Sequence, residues 1–199
     1  PDWIFDGACW KNSKIKKVKL TKVVRTKHIK FCEILAKARY GKIDASVKKF
    51  LDSRVYKGSY DQFEGARIFS RNHEVDYYNN KRLADLPGSL ATYKTLYAGE
   101  EFAINRIKEQ LVVGEQINLK KGALVMMRVN NFQDGYVNGT LGHVIGMAPD
   151  VVTIKKLSGD IIQVKKHVFD FVGGNGEILA RAKNFPLTLA WAVTIHKAQ

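Results

Sequence analysis

Thr194, His196, Lys197 and Gln199 place a hydroxyl, an imidazole, an ammonium and an amide within six residues. Thr and Lys suit phosphate oxygens, and His bonds either a phosphate or a base. These residues close an apolar run of Leu187, Leu189, Ala190, Trp191, Val193 and Ile195. So short a run, rich in branched and aromatic residues, reads as one buried strand. Open α/β sheets bind ligands in the crevice outside the carboxyl ends of their strands, and polar groups gathered at such an exit fit that place. The plainer reading of the same pattern is a strand end with a few solvated side chains.

The stretch Ala190-Trp191-Ala192-Val193-Thr194-Ile195-His196-Lys197-Ala198-Gln199 resembles motif V of superfamily 1 DNA helicases. The branch in question contains RecD and the petite-integration-frequency helicases, whose pattern is Ala-Trp-Ala, then Thr-Ile-His-Lys-Ser-Gln-Gly. The resemblance implies that Thr194 and His196 touch the backbone of single-stranded DNA. The same resemblance implies that Lys197 joins them on the nucleic-acid side and that Gln199 serves the nucleotide.

Composition bounds the possibilities. The chain has 199 residues, of which 45% are hydrophobic and 11% aromatic, enough for one large or two small cored domains. No apolar run approaches a membrane span, and the start is not a signal peptide. Cys9 and Cys32 make neither a disulfide framework nor a zinc spacing, so no metal site is expected. A reducing interior fits best: cytoplasmic in a bacterium, nuclear or mitochondrial in a eukaryote. The net charge is +14, and residues 1–49 carry fourteen Lys or Arg against four acids, leaving +10 of it there. A basic footprint of this kind favours nucleic acid first and an anionic membrane second, although a lysine-rich solvated face looks the same.

Along the chain, PDWIFDGACW exposes Trp3, Phe5 and Trp10 and looks like the tail of a preceding domain. Ile15 to Arg25 alternates weakly and reads as a strand with one wet face. Thr26 to Tyr40 reads as an amphipathic helix with Phe31, Ile34, Leu35 and Ala38 inward and Gly41 as its C-cap. Leu20, Arg25 and Phe31 match motif IV of the same family. That resemblance implies that Arg25 reaches the γ-phosphate of ATP as a catalytic arginine finger, a role its planar, permanently charged fork suits. Thr26 and His28 depart from the Gln and Asp usual there. A second helix is expected over Asp44 to Ser53. Ala66 to Ser70 then reads as a strand and Arg71 to Leu86 as a helix. In this step Asn72, Val75, Asn79 and Leu83 resemble another family segment, which adds Arg71 and Asn72 to the nucleic-acid set. Asn72 also suits a helix N-cap. One strand is expected over Leu90 to Glu100 and a short helix over Phe102 to Glu109. Strand, helix, strand, helix, strand reads as a parallel α/β layer.

From Ile117 to Phe185 the pattern changes to short β-rich runs separated by Asp134-Gly135, Asn138-Gly139, Ser158-Gly159-Asp160 and Gly173-Gly174-Asn175-Gly176. Many short strands with tight turns read as a small barrel or sandwich. The runs Leu119-Lys120-Lys121-Gly122-Ala123-Leu124-Val125-Met126-Met127 and Gly135-Tyr136-Val137-Asn138-Gly139-Thr140-Leu141-Gly142 resemble a signature that opens an SH3-like barrel in these helicases. Bottom-up, Gly135, Gly139 and Gly142 serve turns and close backbone approach.

The expected fold is therefore α/β, a RecA-like parallel sheet with helices interrupted by a small SH3-like β-barrel. Residues 1–17 would be the tail of a first RecA-like domain, 18–116 and 186–199 the second, and 117–185 the barrel. The function implied is part of an ATP-dependent 5′–3′ DNA helicase. Its partners would be single-stranded DNA and the first RecA-like domain of the same parent, with no membrane. A phosphate-binding loop, Gly-x-x-x-x-Gly-Lys-Ser/Thr, is not found. ATP and Mg belong to the full-length parent, and this stretch alone is expected to bind neither and to be inactive. The alternatives are a non-catalytic nucleic-acid-binding module and a RecD-like subunit of an exonuclease–helicase complex.

Overall fold

The structure, a computed structural model, describes residues 3–16, 18–20, 23, 26, 28–59, 65–110 and 114–195. It divides into two units, Pro1–Phe63 and Glu64–Gln199.

In the first unit a 3-10 turn over Ile4–Asp6 leads into α1 (Ala8–Asn12), with Phe5 packed edge-on against Trp10 at 5.2 Å. Helices α2 (Ile29–Arg39) and α3 (Ala45–Asp52) follow. Sequence chemistry fixes the ends of α2. His28 takes the N-cap, its Nδ1 accepting from Phe31 N–H at 3.0 Å. At the other end Gly41 adopts φ +69°, with Gly41 N–H donating to Ala38 and Lys42 N–H to Lys37, the paired bonds of a Schellman cap. Asp44 caps α3 by accepting from Ser46 and Val47 N–H. Among the described residues of this unit Ile34 and Val47 are the buried apolar ones, and the Phe31 ring lies 5.9 Å from that of Phe50. The strand expected over Ile15 to Arg25 is not formed at its described positions, 15, 16, 18–20 and 23. A strand needs a partner, and among the described residues this unit contains no other strand to pair with.

The second unit begins with β1 (Arg67–Phe69) and α4 (Asn72–Asp85). The single strand expected over Leu90 to Glu100 is two, β2 (Ala91–Lys94) and β3 (Leu96–Gly99), followed by α5 (Glu101–Gln110). Nine strands then follow. They are β4 (Gln116–Leu119), β5 (Leu124–Met127), β6 (Leu141–Met147), β7 (Val151–Lys156), β8 (Ile161–Lys165), β9 (His167–Val172), β10 (Ile178–Asn184), β11 (Leu187–Leu189) and β12 (Ala192–Thr194). The β-rich runs expected from the sequence are Ala123 to Val129, Thr140 to Met147, Val151 to Lys156, Ile161 to Val164 and Ile178 to Phe185, so β4 and β9 have no counterpart among them.

The class is α/β, as expected. Among the described residues, parallel pairing is confined to β1 with β12. The remaining pairs are antiparallel: a ribbon of β2 with β4, a sheet β3-β10-β9, and a five-stranded sheet β11-β5-β6-β7-β8. One core joins Leu83 of α4, Leu119, the inner faces of β5 to β8, Phe185, Leu187, Trp191 and Val193. β8 buries Ile162 and Val164 alternately, the period-2 pattern of a half-wet strand, whereas β5 is buried throughout. A smaller core packs Ala103 and Ile107 of α5 on Ala180 and Ala182 of β10.

The run from Leu187 to Thr194, read as one strand, serves two sheets. Ala190 N–H still donates to Leu124 of β5 at 2.9 Å, while the next carbonyl, Trp191, accepts from Arg67 N–H of β1 at 2.8 Å. The chain changes sheets within two residues, and the buried Trp191 ring sits at that step.

Candidate nucleic-acid interface

The register of the parallel pair builds the candidate surface. Arg67, Ile68 and Phe69 face Ala192, Val193 and Thr194 in turn, so both strands end at one level. From the end of β1 the chain passes through Ser70 and Arg71 into α4, and from the end of β12 it passes into Ile195. Arg71 and Asn72 are exposed at the start of α4. The leading N–H groups of a helix are free donors and favour anions. A guanidinium, an amide, a helix N-terminus and a hydroxyl thus gather at the carboxyl end of two parallel strands, where α/β sheets bind ligands.

Two details correct the sequence reading. Arg71, not Asn72, is the N-cap of α4, and its side chain makes no capping bond. Asn72 lies inside the helix, one residue past the cap. Thr194 is not open at a strand exit but only 6% exposed, because β1 and α4 cover β12. Solvent is met at Ile195, which is 58% exposed. The remaining residues of the expected set, Arg25, His196, Lys197 and Gln199, lie outside the described residues.

The sequence marks Asn79 only as a position of the family segment and gives it no role. It sits at the centre of the buried stripe Val75, Asn79, Leu83 on α4 and is itself 6% exposed. Its Nδ2 donates to the Ala192 carbonyl at 3.0 Å, and its Oδ1 accepts from Ala192 N–H at 2.9 Å. The available signal was an amide at helical spacing between two aliphatic residues, since a buried polar group requires a partner. Around this clamp, the Arg82 guanidinium lies 5.9 Å from the Trp191 ring and the Arg67 guanidinium 4.8 Å from Tyr78.

No protein-family model matches the chain. It is 34% identical over 198 residues to the ATP-dependent DNA helicase Pif1 of Bdellovibrio bacteriovorus, a match that takes in 100% of this chain and 45% of the relative. It is 32% identical over 200 residues to the PIF1 helicase of Xenopus laevis, covering 98% of this chain and 31% of that protein. Among solved structures, Bacteroides sp Pif1 in complex with ADP-AlF4 superposes with a TM-score of 0.84 at 25% identity, over 99% of this chain and 46% of the other. This chain belongs to the Pif1 family of DNA helicases.

The chain spans under half the length of these two Pif1 relatives. Bacteroides Pif1 bound to single-stranded DNA matches over 99% of this chain with a TM-score of 0.60. These Pif1 relatives do not favour the non-catalytic and RecD-like alternatives. Among the described residues no three His, Cys, Asp or Glu gather to hold a metal ion, and Arg25 and Gln199 lie outside those residues. Among the described residues, no helix is long and apolar enough to cross a membrane.

Proposed function

We propose that this chain is the second motor half of an ATP-dependent 5′–3′ DNA helicase and that its own task is to hold single-stranded DNA. The observation that carries this reading is the level ending of β1 and β12, which sets Arg71, Asn72 and the α4 N-terminus beside Thr194. Such groups bond phosphate oxygens without reading sequence. Thr194 is 6% exposed, so Arg71 and Asn72 make the broader part of the surface. His196 and Lys197 extend the surface along the chain after β12.

Residues 1–17 then belong to the first RecA-like domain, 18–116 and 186–199 to the second, and 117–185 to an SH3-like barrel. The antiparallel sheet of β5 to β8 supports the barrel, and β11, just past that range, completes its edge. In the parent, ATP with Mg supplies the energy of domain closure, and Arg25 and Gln199 are the residues of this chain assigned to the nucleotide by family resemblance. The compartment follows the parent: cytoplasmic in a bacterium, nuclear or mitochondrial in a eukaryote.

The test uses the intact parent. Binding to labelled oligo-dT weakens steeply with salt and depends little on base sequence. Arg25→Ala abolishes ATPase turnover and spares DNA affinity. Unchanged turnover removes Arg25 from the mechanism, and salt-independent binding removes the phosphate-held strand.

A further inference from the structure

We infer that Asn79 is a positioning residue for the strand-gripping surface: its amide fixes β12 against α4 and so sets the spacing between Thr194 on one side and Arg71 and Asn72 on the other. The inference rests on the single-strand-binding reading above.

The hydrogen bonding makes the case. In a parallel pair, successive residues of one strand turn their N–H and C=O groups to opposite edges. Trp191 gives its carbonyl to β1. Ala192 therefore faces away from β1, and both its backbone groups are taken by the Asn79 side chain, at 2.9 and 3.0 Å. A carboxamide offers a donor and an acceptor in one plane, as a peptide group does. Asn79 thus stands where a neighbouring strand would pair. β12 and β1 are three residues each, too short for their own ladder to hold a register firmly. The amide is 6% exposed, so its two bonds form in a dry setting where neither partner has water as an alternative.

Geometry connects the clamp to the surface. α4 starts beside the end of β12, since Arg71 follows Phe69, the register partner of Thr194, by two residues. It reaches Ala192 at Asn79, so the helix runs back along the strand. From Asn79 to Asn72 the helix rises about 10.5 Å. From Ala192 to Thr194 the strand rises about 6.7 Å. Asn72 therefore stands about one residue beyond Thr194, level with the point where the chain emerges from the core. One side-chain clamp fixes this offset, because α4 is a single rigid element of 14 residues.

The test is made in the intact parent protein, with oligo-dT affinity read by fluorescence anisotropy and folding by melting temperature. Asn79→Leu removes both bonds. Asn79→Asp keeps the acceptor for Ala192 N–H and removes the donor, and it decides the question should the leucine variant not fold. Folded variants are expected to bind roughly tenfold more weakly, a size usual for coupling between two places in a protein. Thr194→Val weakens binding too, and Asn79→Asp with Thr194→Val is no weaker than Thr194→Val alone, because the first change acts through the second residue. Full affinity in folded Asn79→Asp, or losses that simply add, overturns the positioning role and leaves the grip intact. Full affinity in Thr194→Val removes the grip itself.

Discussion

Asn184 donates a 2.8 Å hydrogen bond to the Thr95 hydroxyl, across 89 residues of chain. The same amide nitrogen reaches the Tyr93 carbonyl at 3.1 Å, and its oxygen accepts from Phe185 N–H at 2.8 Å. Thr95 passes its own hydrogen to the Gly114 carbonyl. Asn184 is fully buried, so this polar knot ties the step from β2 to β3, the approach to β4 and the end of β10 in a dry interior. These are the points where the chain enters and leaves its β-rich stretch.

Removing the centre of that knot orphans several groups at once. A buried donor or acceptor without a partner costs about 1–3 kcal/mol. Asn184→Leu strands Phe185 N–H and takes the donor from the Thr95 hydroxyl, so it lowers stability by about 1–3 kcal/mol. Thr95→Val leaves Asn184 its bond to Tyr93 and costs less. Urea unfolding followed by tryptophan fluorescence ranks the two, and equal midpoints for both variants and wild type contradict the account.

The glycines in the antiparallel sheet divide by mechanism. A Cβ on Gly142 would lie 2.5 Å from Ile154 Cγ2 and 2.7 Å from the Lys155 carbonyl oxygen, against the facing strand. Gly139 has open space but sits at φ +88°. Gly142→Ala forces β6 and β7 apart and costs roughly 1–3 kcal/mol, as overpacking does. Gly139→Ala strains only its own backbone, at about 1 kcal/mol. Melting curves should place Gly142→Ala lower, and the reverse order removes close approach as the reason for that glycine.

Those turn and contact glycines were legible in the sequence, and so were the helices with chemical punctuation. Gly41 ends α2, Asp44 starts α3, and the stripe Val75, Leu83 orients α4. What was hidden depends on partners. β9 has apolar residues on both faces and lies at a sheet edge, so its pattern carries no clean period. The run from Leu187 to Thr194 is apolar on both sides of Trp191, and only hydrogen bonding shows that it serves two sheets. The Lys- and Val-rich stretch before α2 has strand composition, and among the described residues of its unit there is no strand to pair with it. Thr194 looked exposed because threonine is polar, whereas its burial follows from β1 and α4 closing over β12. Asn79 was visible as a misfit in an apolar stripe, and its partner, a backbone 113 residues away, was not.

Acid should loosen the α2–α3 pair. The Lys37 ammonium, bonded to Asp44 at 2.7 Å, is the chief reason the Asp44 carboxyl is held well below its usual range, and the bonds from Ser46 and Val47 add to it. A folded-state value below the unfolded one gives stability that is present above the ordinary value of 3.8 and lost as pH falls toward the folded one. Helicity of this unit therefore declines below that pH. Asn is as good an N-cap as Asp and cannot titrate. Asp44→Asn keeps the cap, loses the ion pair, and flattens the acid limb of a circular-dichroism titration. An unchanged acid limb in that variant assigns the transition to another group.

The exposed cation at the start of α4 should announce itself through salt. Arg71 is the N-cap residue and makes no capping bond, so its side chain has no structural duty at the helix end. If it neutralises one phosphate of a bound strand, its removal releases one fewer counterion, and the slope of log affinity against log salt becomes shallower by about 0.7, the single-strand value per contact. Arg71→Ala should weaken binding to all oligonucleotide sequences alike and leave the melting temperature near wild type. Asn72→Ala, an uncharged change on the same helix turn, should weaken binding without altering the slope. A full slope in Arg71→Ala places the phosphate contacts elsewhere on the chain and leaves the end of β1 and β12 without its charged member.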